Sequence, residues 1–182
     1  MRPADGPFLF DARAESYLAS GRDPAAAKWL RKYLELFAPR ISALTVMARL
    51  RGYALLMERE DFRREALGSR RDAYLENIAA GRLEVLPVSP EAALLAAQLT
   101  VLMPFALNPP YRAGAAAESR PERLSRWRAD LLLAATALAE GLPLVHDNPG
   151  DFEPVRALVE RFPERFPDVA PLRLAWVRKL TA

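Results

Sequence analysis

Residues 130–152, DLLLAATALAEGLPLVHDNPGDF, decide the fold class of this 182-residue chain. Leucine and alanine dominate the run 131–139 and Gly141 follows it, which predicts an apolar helix that starts at Asp130 and ends before the glycine. The apolar segment 143–145 then predicts a short strand, and the polar residues after it predict a turn. A helix, a short strand and a polar turn in this order are typical of a layered α/β domain.

The same alternation of strands and helices continues towards both ends of the chain. Short apolar segments predict further strands, and they lie at 8–10, 41–44, 83–88 and, as an edge strand, about 172–177. Prolines and a glycine predict an extended loop over 103–125, and the helix after the last polar turn is predicted to begin at Pro154. The alternation favours a parallel sheet covered on both faces, in a single domain over 1–182.

Composition excludes several classes of protein. The chain has no cysteine, which excludes disulfides, thiolate nucleophiles and cysteine zinc sites. It has no glycine-rich phosphate loop at the spacing of a nucleotide-binding fold. The apolar stretch 92–107 is too short and too often interrupted to span a membrane, and the first residues carry no secretory pattern. We therefore expect a soluble cytoplasmic protein with no membrane partner.

Acidic side chains follow two of the predicted strands. Asp11 comes directly after the strand 8–10, and the polar turn 146–151 follows the strand 143–145. In open parallel sheets, ligands gather beyond the carboxyl ends of the strands, where the strand order reverses. We expect Asp11 and this turn to share that edge of the sheet.

Three segments together resemble the PIN-domain family, and within it the VapC type of toxin ribonuclease. They are 8–11, 41–47 and, most specifically, 130–152. The resemblance implies a three-layer α/β/α sandwich on a parallel sheet of four to five strands, often as a homodimer. It also implies a metal-dependent endoribonuclease of a toxin–antitoxin pair, with RNA as substrate and an antitoxin protein as partner.

The resemblance assigns the catalytic and metal-binding roles to Asp11, Asp130 and Asp151, with Mg²⁺ or Mn²⁺ as the cofactor. Clustered carboxylates repel one another and need such a cation. Each of the three also has a simpler interpretation as a residue of a helix N-terminus. The family's second acid, a glutamate, is replaced by Ala48. This replacement keeps a second interpretation open, a catalytically degenerate PIN-like scaffold that binds RNA or a protein partner without cleavage.

Glu15 is an additional candidate ligand, because it lies one helical turn after Asp11. It would either reach the metal side or form an ion pair with Arg13 or Arg49, and the sequence leaves both open. His146, at a strand end, would meet a metal or a phosphate, although an isolated histidine is usually a hydrogen-bonded surface residue.

Arginines in or beside the 103–125 loop are candidates for contacts with an RNA backbone, with a solvated charged loop as the simpler interpretation. They are Arg112, Arg120, Arg123, Arg126 and Arg128. A further possibility is an interaction module, in which the helix 24–37 and the apolar stretch 92–107 form a homodimer interface.

Overall fold

The computed structural model of the chain describes residues 1–59, 63–103 and 119–180. Its strands are β1 (Leu9–Phe10), β2 (Arg40–Ser42), β3 (Glu84–Leu86), β4 (Leu144–His146) and β5 (Leu174–Trp176). They form one sheet in the order β3-β2-β1-β4-β5, and every pair of neighbours is parallel. The predicted parallel sheet is confirmed, with β5 as its C-terminal edge strand.

Helices cover both faces of this sheet, which confirms the three-layer α/β/α, PIN-like architecture. They are α1 (Ala12–Ala19), α2 (Pro24–Leu34), α3 (Ala43–Arg59), α4 (Arg64–Ala79), α5 (Pro90–Leu102), α6 (Arg120–Ala139) and α7 (Pro149–Arg161). No helix within the described ranges is long and apolar enough to cross a membrane.

The two faces of the sheet bury separate apolar cores. Leu9 and Leu144 belong to the core shared with α5, α6 and α7. Phe10 and Val145 belong to the core shared with α1 and α2. Successive residues of a strand point to opposite faces, so these two-residue apolar runs supply both cores. This explains why the strands read as continuous apolar segments rather than as alternating ones.

A stack of aromatic rings fixes α2 against the sheet. Tyr33 is fully buried, and its ring centroid lies 5.4 Å from those of Phe8 and Trp29. The Tyr33 hydroxyl accepts a hydrogen bond of 3.1 Å from the Phe8 amide. Tyr33 of α2 therefore satisfies the backbone amide of Phe8, the residue before β1. This contact holds in place the strand that leads to Asp11.

The start of α6 corrects the sequence prediction. The helix begins at Arg120, so the segment 120–125 is helical and not part of a loop, and Asp130 lies inside the helix rather than at its start. Ser119 and Glu122 form a capping box, in which each side chain accepts from the other residue's amide at 3.4 and 2.7 Å. In the sequence, Pro121 suggested that no helix includes this position, but the first turn of a helix tolerates proline. Residues 104–118 of the predicted loop lie outside the described part of the chain.

The start of α7 was also misplaced. The helix begins at Pro149 and not at Pro154, which lies inside it. Asn148 is its N-cap, accepting from the Gly150 amide at 3.2 Å. Two prolines competed for the helix start, and the earlier one has the preset φ of the first helical position. As a result, Asp151 lies in the first turn of α7.

Candidate active site

The strand order reverses between β1 and β4, and the candidate site lies at the carboxyl ends of these two strands. Phe10 pairs with Val145, and the Asp11 amide donates to the Val145 carbonyl at 3.0 Å. Asp11 and the turn after β4 therefore share one edge of the sheet, as the sequence predicts. Such a reversal is the usual position of ligand sites in open parallel sheets.

Asp11 caps α1 and faces the turn after β4. Its carboxylate accepts from the Ala14 amide at 2.5 Å and from the Asp147 amide at 3.3 Å. Burial raises the pKa of Asp11, the two amides oppose that rise, and the charge of Asp147 adds to it. The predicted capping role of Asp11 is confirmed. Its role as a metal ligand remains a prediction.

Asp147 is an acid of this edge that the sequence analysis missed. It is the first residue after β4, as Asp11 is the first after β1, and this equivalence was the signal that could have identified it. Its carboxylate accepts two hydrogen bonds from Arg178, at 2.6 and 2.9 Å. Those hydrogen bonds hold the pKa of Asp147 below its usual range. The Arg178 guanidinium also lies over the Tyr17 ring, 5.5 Å from its centroid.

Asp130 and Asp151 meet at a second arginine, Arg126. Arg126 Nη1 lies 3.2 Å from Asp151 Oδ1 and 3.8 Å from Asp130 Oδ2. The other oxygen of Asp151 accepts from Asn148 Nδ2 at 2.6 Å. The structure thus brings Asp130 and Asp151 together, and it places a cationic side chain of the protein between them.

Glu15 forms an ion pair with Arg49, which was one of the two arrangements that the sequence left open. Both side chains are largely shielded, with 14% and 20% of their surface exposed. Arg49 also lies over the Tyr74 ring, 5.7 Å from its centroid. Ala48, the residue before it, is exposed on α3.

His146 is buried, which corrects the expectation of a surface residue. Its ring packs against Phe152 with centroids 5.3 Å apart, and Nδ1 has no hydrogen-bond partner among the described residues. Burial lowers the pKa of His146 to about 4, although the charges of Asp147 and Asp151 oppose the shift. At neutral pH the histidine is therefore an uncharged part of the core.

The arginines proposed for RNA contacts do not form one group. Arg112 lies outside the described residues, and the other four lie on α6 instead of a loop. Arg123 is buried, Arg126 is paired with the two aspartates, and Arg120 and Arg128 are exposed. Of the described members, only Arg120 and Arg128 present an exposed side chain at the surface.

With Arg126 paired to Asp130 and Asp151, the described donor set of this edge does not fit Mg²⁺ or Mn²⁺. Within 1–59, 63–103 and 119–180, no group of three or more His, Cys, Asp or Glu side chains could hold a metal ion. The three predicted ligands accept hydrogen bonds or ion pairs from protein donors, and Ala48 supplies no oxygen. Hard divalent cations need several oxygen ligands that are available to them.

An apolar groove of about 550 Å³ lies on the face of the domain that carries α1 and α2. Its walls are mainly apolar side chains, with three polar residues among them. The apolar members are Phe10, Leu18, Ala19, Leu30, Leu34, Phe37, Ala38, Pro39 and Leu83, and the polar ones are Glu15, Asn77 and Arg82. Glu15 therefore connects the groove to the ion pair beside the candidate site.

Solved structures that share this fold include three that match more than nine-tenths of this chain. FitAcB from Neisseria gonorrhoeae has a TM-score of 0.57 and 20% identity, over 96% of this chain and 100% of that chain. VapBC2 from Rickettsia felis, bound to a DNA fragment from its promoter, has a TM-score of 0.55 and 16% identity, over 92% and 96%. DNA-bound VapBC from Salmonella typhimurium has a TM-score of 0.54 and 17% identity, over 93% and 97%. No family model and no curated protein matches the chain.

Proposed function

We propose that this chain is a PIN-like protein that acts by binding a protein partner, in the manner of a toxin–antitoxin pair, without cleaving RNA at the Asp11 edge. The observation that carries the proposal is the pairing of Asp130 and Asp151 with Arg126. A carboxylate held by a guanidinium is already neutralised, and a divalent cation would have to displace that guanidinium.

Two further observations support a protein partner. Two of the three structures of the same fold are of VapBC, which pairs the toxin type that the sequence resembles, VapC, with a second protein. In addition, the groove between α1, α2 and the end of α4 exposes apolar surface, including Leu34, which is 49% exposed. A concave apolar surface with a few polar residues fits an amphipathic segment of another protein.

A second candidate function, a Mg²⁺- or Mn²⁺-dependent endoribonuclease of the same toxin–antitoxin type, is favoured by one observation. Asp11 is buried near Asp147, and burial and that second charge both raise its pKa. A bound cation would favour the charged form of Asp11, which burial disfavours. Metal binding by Asp130 and Asp151 would require Arg126 to leave them.

Incubation of the purified protein with single-stranded RNA and Mn²⁺ or Mg²⁺, beside an Asp11→Asn control, separates the two functions. We expect the parent and the control to leave the RNA equally intact. Cleavage by the parent that is lost in the control would instead establish the nuclease. A gel shift without cleavage would make RNA, and not a protein, the partner.

Where an adjacent gene encodes a small protein, co-expression and co-purification with that protein test the protein partner. We expect the two proteins to elute together, and Leu34→Glu to abolish this, because it places a charge in the apolar groove. Leu75→Glu is the matched control, since Leu75 is comparably exposed on α4 and does not line the groove. Equal effects of both substitutions would exclude the groove as the docking site.

Homodimerisation also remains a proposal, and the outward face of α5 supports it. Leu94 and Val101 lie on that face and are 68% and 81% exposed, which is unusual for large apolar side chains on one helix. A monomeric mass in solution at high protein concentration would contradict the dimer. A dimeric mass that Val101→Glu converts to a monomeric one would support it.

A further inference from the structure

We infer that Arg126 keeps divalent cations from binding at the acidic edge of the sheet, which comprises Asp11, Asp130 and Asp151. It does so by acting as an internal counter-ion of Asp130 and Asp151. The inference deepens the proposed function, on which it rests, by naming a side chain that competes with a metal ion for two of the carboxylates. It concerns a property of the folded chain, and it can be measured without RNA and without a partner.

The geometry places one nitrogen of Arg126 within ion-pair distance of both carboxylates. Asp130 follows Arg126 by four residues on α6, so the two share a helix face. Asp151 comes from the first turn of α7, 3.2 Å from the same nitrogen. Because Asn148 donates to the second oxygen of Asp151, both oxygens of that carboxylate are engaged.

Shielding from solvent makes the loss of one partner more costly in this group than in a surface ion pair. Only 12% of the Arg126 side chain is exposed, and the exposed fractions of Asp130 and Asp151 are 17% and 7%. By comparison, 56% of the Arg178 side chain that pairs with Asp147 is exposed. Partly buried charges that lose their partner are strongly destabilised, whereas exposed pairs contribute little.

The chemistry of the two cations favours arginine in this position. A guanidinium is weakly hydrated and can donate to two carboxylates from fixed directions. Mg²⁺ loses its water reluctantly and demands near-octahedral oxygen ligands. With Ala48 in place of the second acid that the resemblance implies, Asp130 and Asp151 gain more from Arg126, which is already part of the fold, than from an ion.

Thermal unfolding of Arg126→Gln, with and without millimolar Mn²⁺, tests the inference. We expect the parent Tm to be the same in chelator and in Mn²⁺. In chelator, we expect Arg126→Gln to unfold roughly 5 °C or more below the parent, because two shielded carboxylates lose a cationic partner. Millimolar Mn²⁺ should then restore much of that loss. Arg128→Ala, an exposed arginine of the same helix, is the control, and its Tm should match the parent's in both conditions.

A rise of the parent Tm in Mn²⁺ would overturn the inference, and so would an Arg126→Gln variant that neither loses Tm nor responds to Mn²⁺. If Arg126→Gln does not fold, adding Asp151→Asn should restore folding, because it removes the charge of one of the two carboxylates that Arg126 pairs with. A double variant that still fails to fold would equally contradict the inference. RNA cleavage by the parent would refute the proposed function, whereas the Mn²⁺ response alone decides the role of Arg126.

Discussion

The buried histidine makes the stability of this protein depend on pH in a way that one substitution can isolate. His146 is the only histidine in the sequence, and burial lowers its pKa from 6.5 to about 4. In the unfolded chain the same imidazole takes up a proton near its ordinary pKa. The folded state therefore binds fewer protons than the unfolded state between about pH 6.5 and about pH 4.

The direction and size of the effect follow from that difference. The stability that comes from His146 is fully present above about pH 6.5 and is lost as the pH falls towards about 4. One pKa unit corresponds to about 1.4 kcal/mol, so the loss between pH 7 and pH 5 is about 2 kcal/mol. The raised pKa of Asp11 acts in the opposite direction, because the folded protein then takes up a proton before the unfolded one does. The contribution of Asp11 to the stability matters mainly at the acidic end of this pH range.

Urea unfolding followed by tryptophan fluorescence at several pH values between 7 and 5 measures the effect in the parent and in His146→Gln. We expect the free energy of unfolding to fall in the parent and to change far less in the glutamine variant, which does not titrate. Equal slopes for the two proteins would refute the assignment to His146. An NMR titration that finds the folded imidazole with an ordinary pKa would refute its burial as the cause.

Three substitutions test the packing that positions the site, each by urea unfolding. Tyr33→Phe removes the hydroxyl that accepts a hydrogen bond from the buried Phe8 amide, and should lower the free energy of unfolding by about 1–2 kcal/mol. An unchanged stability would mean that this hydrogen bond contributes nothing. Phe152→Ala removes a side chain that is only 1% exposed and should lower the free energy of unfolding by about 3–4 kcal/mol. A loss below about 1 kcal/mol would show that the core beside His146 is loosely packed. Gly141→Ala places a side chain at φ +62° with open space around it, so a cost of roughly 1 kcal/mol is purely conformational, and no cost would contradict the left-handed turn after α6.

The layered fold could be predicted because its signals are local. Each apolar run before an acid or a turn corresponds to a strand, and strand–helix alternation restricts the topology to a parallel sheet. The helix starts were predicted less well. Pro121 and Pro154 look alike in sequence, yet one lies in the first turn of a helix and the other in a helix interior. Only the capping residues around each proline distinguish the two cases.

The candidate site could be predicted in position but not in its pairing. The edge shared by Asp11 and the turn after β4 follows from strand direction alone. The partners of these acids do not, because Arg178 comes from the C-terminal turn and Arg126 from the stretch between the predicted loop 103–125 and the predicted helix start at Asp130. The burial of His146 could not be predicted for a similar reason. Its burial depends on Phe152 and the neighbouring helices, which no local pattern reveals.

The central claim is that the protein's own arginines neutralise the acidic edge. Anomalous diffraction from crystals soaked in Mn²⁺ tests this claim most directly. We predict no anomalous peak among Asp11, Asp130 and Asp151, and density for the Arg126 guanidinium between Asp130 and Asp151. A Mn²⁺ peak bound by these carboxylates, with Arg126 turned away from them, would contradict the account.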